Sequence, residues 1–378
     1  MFRLPAPTGP YPVGTSILYL VDASRPEIHP NPPGSKRELM VQVWYPAEPS
    51  TAPLAPYRRW VDTTKVSSYM ALLKTHSRQD APVSRSGAPF PVLLFNPAWD
   101  NQRTQNTYQT EDLASHGFVV IGIDHTYNSQ PVVFPDGRRV LALAGADMPD
   151  FAHLTLAQEL SKDDAEANYE AADDIFVLNA FAQMNQDPRS VLYGKLDVDR
   201  SGAFGHSFGG GVSMEACRED PRIRAAMNMD GWIFGDVARD GLDKPVMLMY
   251  TGIALPSQAE LNSSNVVERR VAELNTYDIH NIYATLNRFG GFLVVFRKSF
   301  PLSHMNFSDR ALYSPIRRLA ESGPVDPRRA HQIIEAYTLA FFSQALKRDA
   351  QPILAPGAKP FAETSLEVWK SGDRPSKQ

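Results

Sequence analysis

The residues best suited to do chemistry stand at Gly205-His206-Ser207-Phe208-Gly209. A serine hydroxyl is a weak nucleophile near neutral pH, so it needs a base to take its proton and a third group to orient that base. The flanking sequence places this serine at a sharp turn. Residues 198–204 read as a short buried strand, and Gly210-Gly-Val-Ser-Met-Glu-Ala-Cys217 reads as the start of a helix. Glycines on both sides of the serine let strand and helix approach closely around a strained backbone. Such a serine would perform acyl transfer through a covalent intermediate. A glycine-rich turn that only packs a helix on a strand is the plainer alternative.

Strand, tight turn and helix around Gly-x-Ser-x-Gly form the nucleophile elbow of the α/β-hydrolase fold, in which the acid and then the histidine follow the serine along the chain. Asp230 directly follows the apolar run 224–229, one strand after the elbow, in Asn-Met-Asp-Gly-Trp232. Asp236, Asp240 and Asp243 lie farther along the same loop, and a carboxylate that merely caps a loop is the alternative role. His304 stands in Leu302-Ser-His-Met-Asn-Phe-Ser-Asp309, after the last apolar strand and before a helical segment, where the base belongs. His280 lies in a polar insertion and His331 at a helix start, so both read as structural or solvated. His125 ends a strand and either lines a pocket or is a satisfied structural histidine. His206 is expected to pack beside the site or tune it. The developing oxyanion needs two backbone N–H donors. Phe208 supplies one, and the loop Asn96-Pro-Ala-Trp-Asp100 supplies the other. Pro97 has no N–H, which leaves Ala98 or Trp99. Trp99, His206, Phe208 and Trp232 are the expected substrate-contacting residues.

The elements that must position these groups alternate between buried strands and helices. Strand signals fall at 38–45, 91–95, 118–123, 198–204, 224–229, 245–250 and 291–296, and helix signals at 105–115, 161–183 and 331–346. Fully apolar strands alternating with helices predict an α/β protein with a mostly parallel central sheet flanked by helices. We read residues 1–350 as one such domain, with insertions at about 47–90 and 254–288, and 351–378 as a Pro-containing C-terminal tail. Residues 1–35, rich in Pro and Gly, are expected to wrap the surface.

Composition narrows the function classes. The chain has 378 residues, 43% hydrophobic and 21% charged, with a formal net charge of −4, so nothing points to a nucleic-acid partner. The nine histidines show no zinc spacing, and neither metal nor cofactor is expected. Cys217, the only cysteine, reads as a small buried hydrophobe. The first ten residues lack the apolar core of a signal peptide. A cytoplasmic protein with a native Met1 fits, and so does an exported mature form carrying an added Met1. Contact with a lipid surface would involve the amphipathic stretch 60–73 or the insertion 254–288, although neither carries a strongly basic face.

With serine, acid and histidine placed, the chain resembles the platelet-activating factor acetylhydrolases (the plasma-type, calcium-independent phospholipases) and their bacterial relatives. The resemblance rests on Gly9-Pro-Tyr-Pro-Val-Gly14, Val41-Gln-Val-Trp-Tyr-Pro46, Asp112-Leu-Ala-Ser-His-Gly-Phe118, Gly205-His-Ser-Phe-Gly-Gly210, Asp230-Gly-Trp232 and His304-Met-Asn-Phe-Ser-Asp309, and spans roughly residues 9–346. It implies an α/β-hydrolase fold, a cofactor-free serine esterase acting on small-molecule or lipid esters, a Ser207–His304–Asp230 triad, and Trp99 as the second oxyanion donor. The chain departs from the family at 96–100, where Ser-His-Gly-x-Gly is usual. Trp99 there sets an aromatic wall beside the reacting carbonyl and narrows the acyl side to short groups. Polyester hydrolases, cutinases and general bacterial esterases have similar elbows and are the neighbouring readings. An amidase with the same triad and a non-catalytic binding protein on the same fold are the readings from other classes.

Overall fold

The computed structural model describes residues 3–29, 34–57, 72–143, 153–299, 302–313 and 326–372. Thirteen strands are described: β1 Val13–Pro26, β2 Lys36–Pro46, β3 Leu54–Pro56, β4 Lys74–Gln79, β5 Phe90–Asn96, β6 Val119–Asp124, β7 Val132–Val133, β8 Arg139–Val140, β9 Leu196–His206, β10 Ile223–Met229, β11 Val246–Tyr250, β12 Gly290–Phe296 and β13 Thr364–Lys370. The helices are α1 Thr107–Ser115, α2 Leu156–Gln186, α3 Phe208–Glu219, α4 Asp236–Asp240, α5 Gln258–Leu261, α6 Val266–Phe289, α7 Arg310–Tyr313 and α8 Pro327–Phe342.

Eleven strands form one sheet in the order β13-β12-β11-β10-β9-β5-β6-β2-β1-β4-β3. The six from β6 to β12 are mutually parallel, and β2 and β13 flank them antiparallel. Successive side chains of a strand face opposite sides, and β5 shows how this builds two cores. Val92 and Leu94 join the cluster under α2, α3 and α6, while Leu93 and Phe95 join the one under α1 and α8. A strand buried on both faces has no polar positions to spare, which is why these segments read as unbroken apolar runs.

The seven expected strands and three expected helices are all present with small boundary shifts. The long helix starts earlier than expected, at Leu156, because Thr155 and Gln158 form a capping box. Two readings are corrected. Residues 13–26, expected to wrap the surface, form β1, paired with β2 from Val13 to Asp22 before the register shifts. Residues 364–370, expected in a tail, form β13 at the sheet edge, paired along their whole length with β12. In both places β pairing supplies order that the Pro- and Gly-rich surroundings conceal. Part of the expected insertion 47–90 also joins the sheet, as β3 and β4. Most of the amphipathic stretch expected at 60–73 lies outside the described residues. No described helix is long and apolar enough to cross a membrane.

From β5 the chain moves outward to β6, then returns to β9 on the other side of β5. The loops leaving the carboxyl ends of β5 and β9 therefore diverge and open a crevice between them, the usual place for a ligand in such sheets. The loop 97–106 and Ser207 occupy those two exits.

Candidate active site

Ser207 sits where β9 ends and α3 begins, with φ 56° and ψ −131°, a strained conformation for a residue with a side chain. Its N–H donates to Met229 O at 2.9 Å and its carbonyl accepts from Gly210 N at 2.8 Å, which holds the turn. The flanking glycines are steric requirements. A Cβ on Gly205 would come within 2.0 Å of the Gly209 carbonyl oxygen, and one on Gly209 within 2.3 Å of the Asn96 carbonyl oxygen.

Asp230 leaves β10 with φ 57°. Asn228 closes the turn behind it, accepting from Gly231 N at 3.0 Å and donating to Gly231 O at 2.9 Å. Asp230 Oδ1 accepts from Thr251 N at 2.8 Å and Thr251 Oγ1 at 3.0 Å. Its Oδ2 lies 2.8 Å from His304 Nδ1. That contact assigns the Nδ1 proton and leaves Nε2 as the basic nitrogen. The His304 side chain is 42% exposed and that of Asp230 10%, so the acid is sheltered while the imidazole meets the cavity.

His304 opens a short 3₁₀ turn, His304–Phe307, anchored at its far end. Asp309 is fully buried, and its carboxylate accepts from Thr107 N at 2.8 Å, Tyr108 N at 3.1 Å and the Tyr57 hydroxyl at 2.9 Å. It thus caps α1, whose own N-cap residue Asn106 makes no side-chain cap. Burial raises the Asp309 carboxyl to about 8 against the pull of these donors. His331 holds the turn from the other side, bonding Asn306 O at 3.0 Å and stacking on Tyr108 at 3.8 Å. Burial drives its pKa down to about 3, the structural role expected for it.

Ser207, Asp230 and His304 line one cavity of about 420 Å³ together with Trp99, Phe208, Trp232, Phe234 and Asp163. Of the expected contact residues, Trp99, Phe208 and Trp232 are there. His206 is not, and its expected substrate contact is corrected. It is 1% exposed, with its ring centroid 4.2 Å from that of His304 and its Nδ1 2.6 Å from Gln105 Nε2. Burial, and then the neighbouring His304, push its pKa well below the ordinary histidine value. A neutral imidazole beneath His304 does not repel the positive charge that a base acquires. Of the three alternative acids, Asp236 and Asp240 are bound to Arg239 at the surface and Asp243 is exposed away from the cavity.

The choice between Ala98 and Trp99 narrows on hydrogen bonding. Ala98 N donates to Gln105 Oε1 at 2.7 Å. Among the described residues, the amides of Trp99 and Phe208 donate to no backbone acceptor in the loops and turns around the site. The Trp99 and Phe208 rings pack 4.4 Å apart. Gln105, absent from the sequence reading, therefore ties the 97–106 loop to His206 in the elbow through one amide group. A glutamine in a polar loop carries no periodic or motif signal that would single it out.

Beneath this loop, Asn96 donates to Asp174 Oδ2 at 2.8 Å and to Ser213 Oγ at 3.0 Å. Its Oδ1 meets His125 Nε2 at 3.0 Å, while His125 Nδ1 meets Asp173 Oδ2 at 3.0 Å. Asp173 also receives Arg37 at 2.6 Å and Arg25 at 2.5 Å. Burial works against the charge on His125, but Glu170, Asp173 and Asp174 raise its pKa to about 9. His125 is thus the satisfied structural histidine of the two readings. Cys217 is buried with its pKa pushed up to about 12, inert as expected.

The mostly parallel sheet, the switch point between β5 and β9 and the strand–helix elbow define the α/β-hydrolase fold. The resemblance expected from the sequence motifs holds. A PET hydrolase-like family model matches residues 151–254, which include the elbow and Asp230. The chain is 28% identical over 265 residues to a probable 1-alkyl-2-acetylglycerophosphocholine esterase of Arthroderma benhamiae, covering 64% of this chain and 62% of that protein. It is 25% identical to the platelet-activating factor acetylhydrolase of Canis lupus familiaris, covering 61% of this chain and 55% of that one. The chain therefore spans about three fifths of the length of these curated relatives. Its structure matches that of a ferulic acid esterase from Streptomyces cinnamoneus with TM-score 0.73 and 29% identity, over 97% of this chain and 99% of that one.

Proposed function

We propose that the protein is a serine ester hydrolase acting on small-molecule or lipid esters through an acyl-enzyme. The observation that carries this reading is the His304 Nδ1–Asp230 Oδ2 contact of 2.8 Å at the wall of the cavity that also holds Ser207. Ser207 Oγ attacks the ester carbonyl while His304 Nε2 takes its proton. The oxyanion forms against the Phe208 and Trp99 amides, helped by the positive end of α3. His304 then protonates the departing alkoxide. The same nitrogen then deprotonates a water, whose oxygen attacks the acyl carbonyl, and His304 returns that proton to Ser207 Oγ as the acyl–serine bond breaks. Asp230 keeps the imidazole in the working tautomer and stabilises its protonated form.

The paired Trp99 and Phe208 rings favour a short acyl group beside the carbonyl and leave the cavity to the alcohol portion. The esterase names of the relatives, from acetylglycerophosphocholine to ferulate, support ester chemistry and span several alcohols and acids. Ser207→Ala should lower turnover of p-nitrophenyl acetate by about 10⁶-fold with an unchanged melting temperature. Undiminished turnover by that variant refutes the reading.

A further inference from the structure

The cavity beside Ser207 holds two polar groups whose hydrogen-bonding capacity the protein leaves unused. Asp163, on α2, lines the cavity at 1% exposure, and its Oδ1 has no hydrogen-bond partner. Trp99 lines the same cavity, and its indole Nε1, itself buried, has none either. Leaving such a group unpaired forfeits its hydration without return, and buried polar groups in folded proteins are almost always paired. One of the two is a donor and the other an acceptor. Their shared surroundings are aromatic. Phe208 lies 4.4 Å from Trp99 and 5.9 Å from Phe234, and Trp232 meets Phe234 edge-on at 6.2 Å.

The charge balance of the site narrows the ligand further. Asp163, Asp230 and Asp278 all line the cavity, and no Lys or Arg does among the described residues. One helical turn before Asp163, Glu159 is fully buried with both carboxylate oxygens unpaired; Lys162 reaches only to 3.9 Å. Burial, reinforced by Glu159, raises the Asp163 carboxyl to about 7. An anionic substrate would meet repulsion from several sides. A hydroxyl suits the two unused groups, because it can accept from the indole N–H and donate to the carboxylate at once.

We propose that Asp163 and Trp99 Nε1 form a polar end to an aromatic alcohol-binding pocket, which selects esters whose alcohol portion is an uncharged aryl group bearing a hydroxyl. Asp163 is in this role a specificity-determining residue, since a site built to bond a hydroxyl discriminates strongly against the analogue that lacks it. The inference rests on the ester-hydrolase reading above.

The test compares kcat/KM of the full-length enzyme for four acetates: 2-(4-hydroxyphenyl)ethyl acetate, its 4-methoxy and unsubstituted counterparts, and the 4-trimethylammonio analogue. The hydroxylated ester should be favoured over the methoxy and unsubstituted esters by about tenfold. That ratio should fall to near one in Asp163→Leu. Asp163→Asn preserves the shape and one acceptor oxygen, and should retain part of the preference if the leucine variant folds poorly. Trp99→Phe removes the indole donor, together with some ring volume, while keeping an aromatic side chain, and should lower the same ratio. A ratio near one in the wild-type enzyme, or one untouched by these substitutions, overturns the proposal. A preference for the cationic acetate that depends on Asp163 also overturns it, in favour of an ion pair. If Ser207→Ala is inactive and the ratio is flat, this inference alone fails; if Ser207→Ala stays active, the ester-hydrolase reading fails as well.

Discussion

Among the described residues, two aspartate–histidine pairs lie within 3.0 Å, and their surroundings give them opposite fates. Asp230 and His304 meet at 2.8 Å, Asp173 and His125 at 3.0 Å. His125 is buried with both ring nitrogens occupied, between Asp173 and Asn96, and arginines neutralise its partner. Neither nitrogen is left to face a substrate. His304 has one nitrogen committed and the other beside a cavity that also holds a serine. A carboxylate next to an imidazole is therefore not in itself a catalytic device. In the proposed mechanism, the second nitrogen beside an open cavity wall makes it one. The buried pair does a different job, since through Asn96 it fixes the end of β5, from which the proposed oxyanion loop departs.

This contrast can be broken from either side. The largest effect is expected in Asp230→Asn, which keeps the shape of the working pair but lets the imidazole adopt the wrong tautomer. Turnover should fall by about 10⁴-fold with little change in stability, measured by ester hydrolysis beside a thermal melt. The opposite substitution, His125→Leu, strips Asp173 and Glu170 of a buried cation. It should cost about 3–5 kcal/mol of stability, read from denaturant unfolding, with a far smaller loss of turnover. If the two variants exchanged these phenotypes, the assignment of roles would be wrong.

The smallest effect concerns pH. The His125 pKa is raised to about 9 in the folded protein, against about 6.5 in an unfolded chain. Between these values the native state holds a proton that the unfolded state has released. The stability gained from the charged form is therefore complete below about pH 6.5 and lost as pH rises through 9, with a slope of up to about 1.4 kcal/mol per pH unit. Urea midpoints taken at pH 6.5, 8 and 9 should decline accordingly, and the decline should flatten in His125→Leu.

Much of this arrangement was legible in the linear order of residues. The elbow, the acid one strand later and the histidine after the last parallel strand are local features, the first announced by its glycine pattern and the other two by the apolar runs they follow. Apolar runs likewise located five of the six parallel strands, and the glycine-flanked elbow located β9. What stayed hidden depends on distant partners. Strand β13 acquires its structure from β12, and β1 from β2, so their own composition looks like that of loops. Asp309 reads as a polar loop residue until α1 is seen to need its cap. Asp163 reads as one more acid on a helix with a mixed acidic and apolar face, and only the packing of that helix turns it into a cavity. Pocket membership likewise separated His206 from its expected contact with substrate. Residue 206 immediately precedes Ser207, the proposed nucleophile, but strand alternation sends its ring beneath the cavity wall.

The glycine after Asp230 carries a further consequence. A Cβ at Gly231 would come within 1.9 Å of the Ser207 carbonyl oxygen, so the turn bearing the acid rests on the turn bearing the hydroxyl, backbone against backbone. Their spacing is set by main-chain contact and owes nothing to the side chains that line the cavity. Neighbouring wall residues such as Trp232, Ile253 and Ile279 can then be exchanged without moving Ser207 and Asp230 apart, which leaves the cavity free to change shape around a fixed frame.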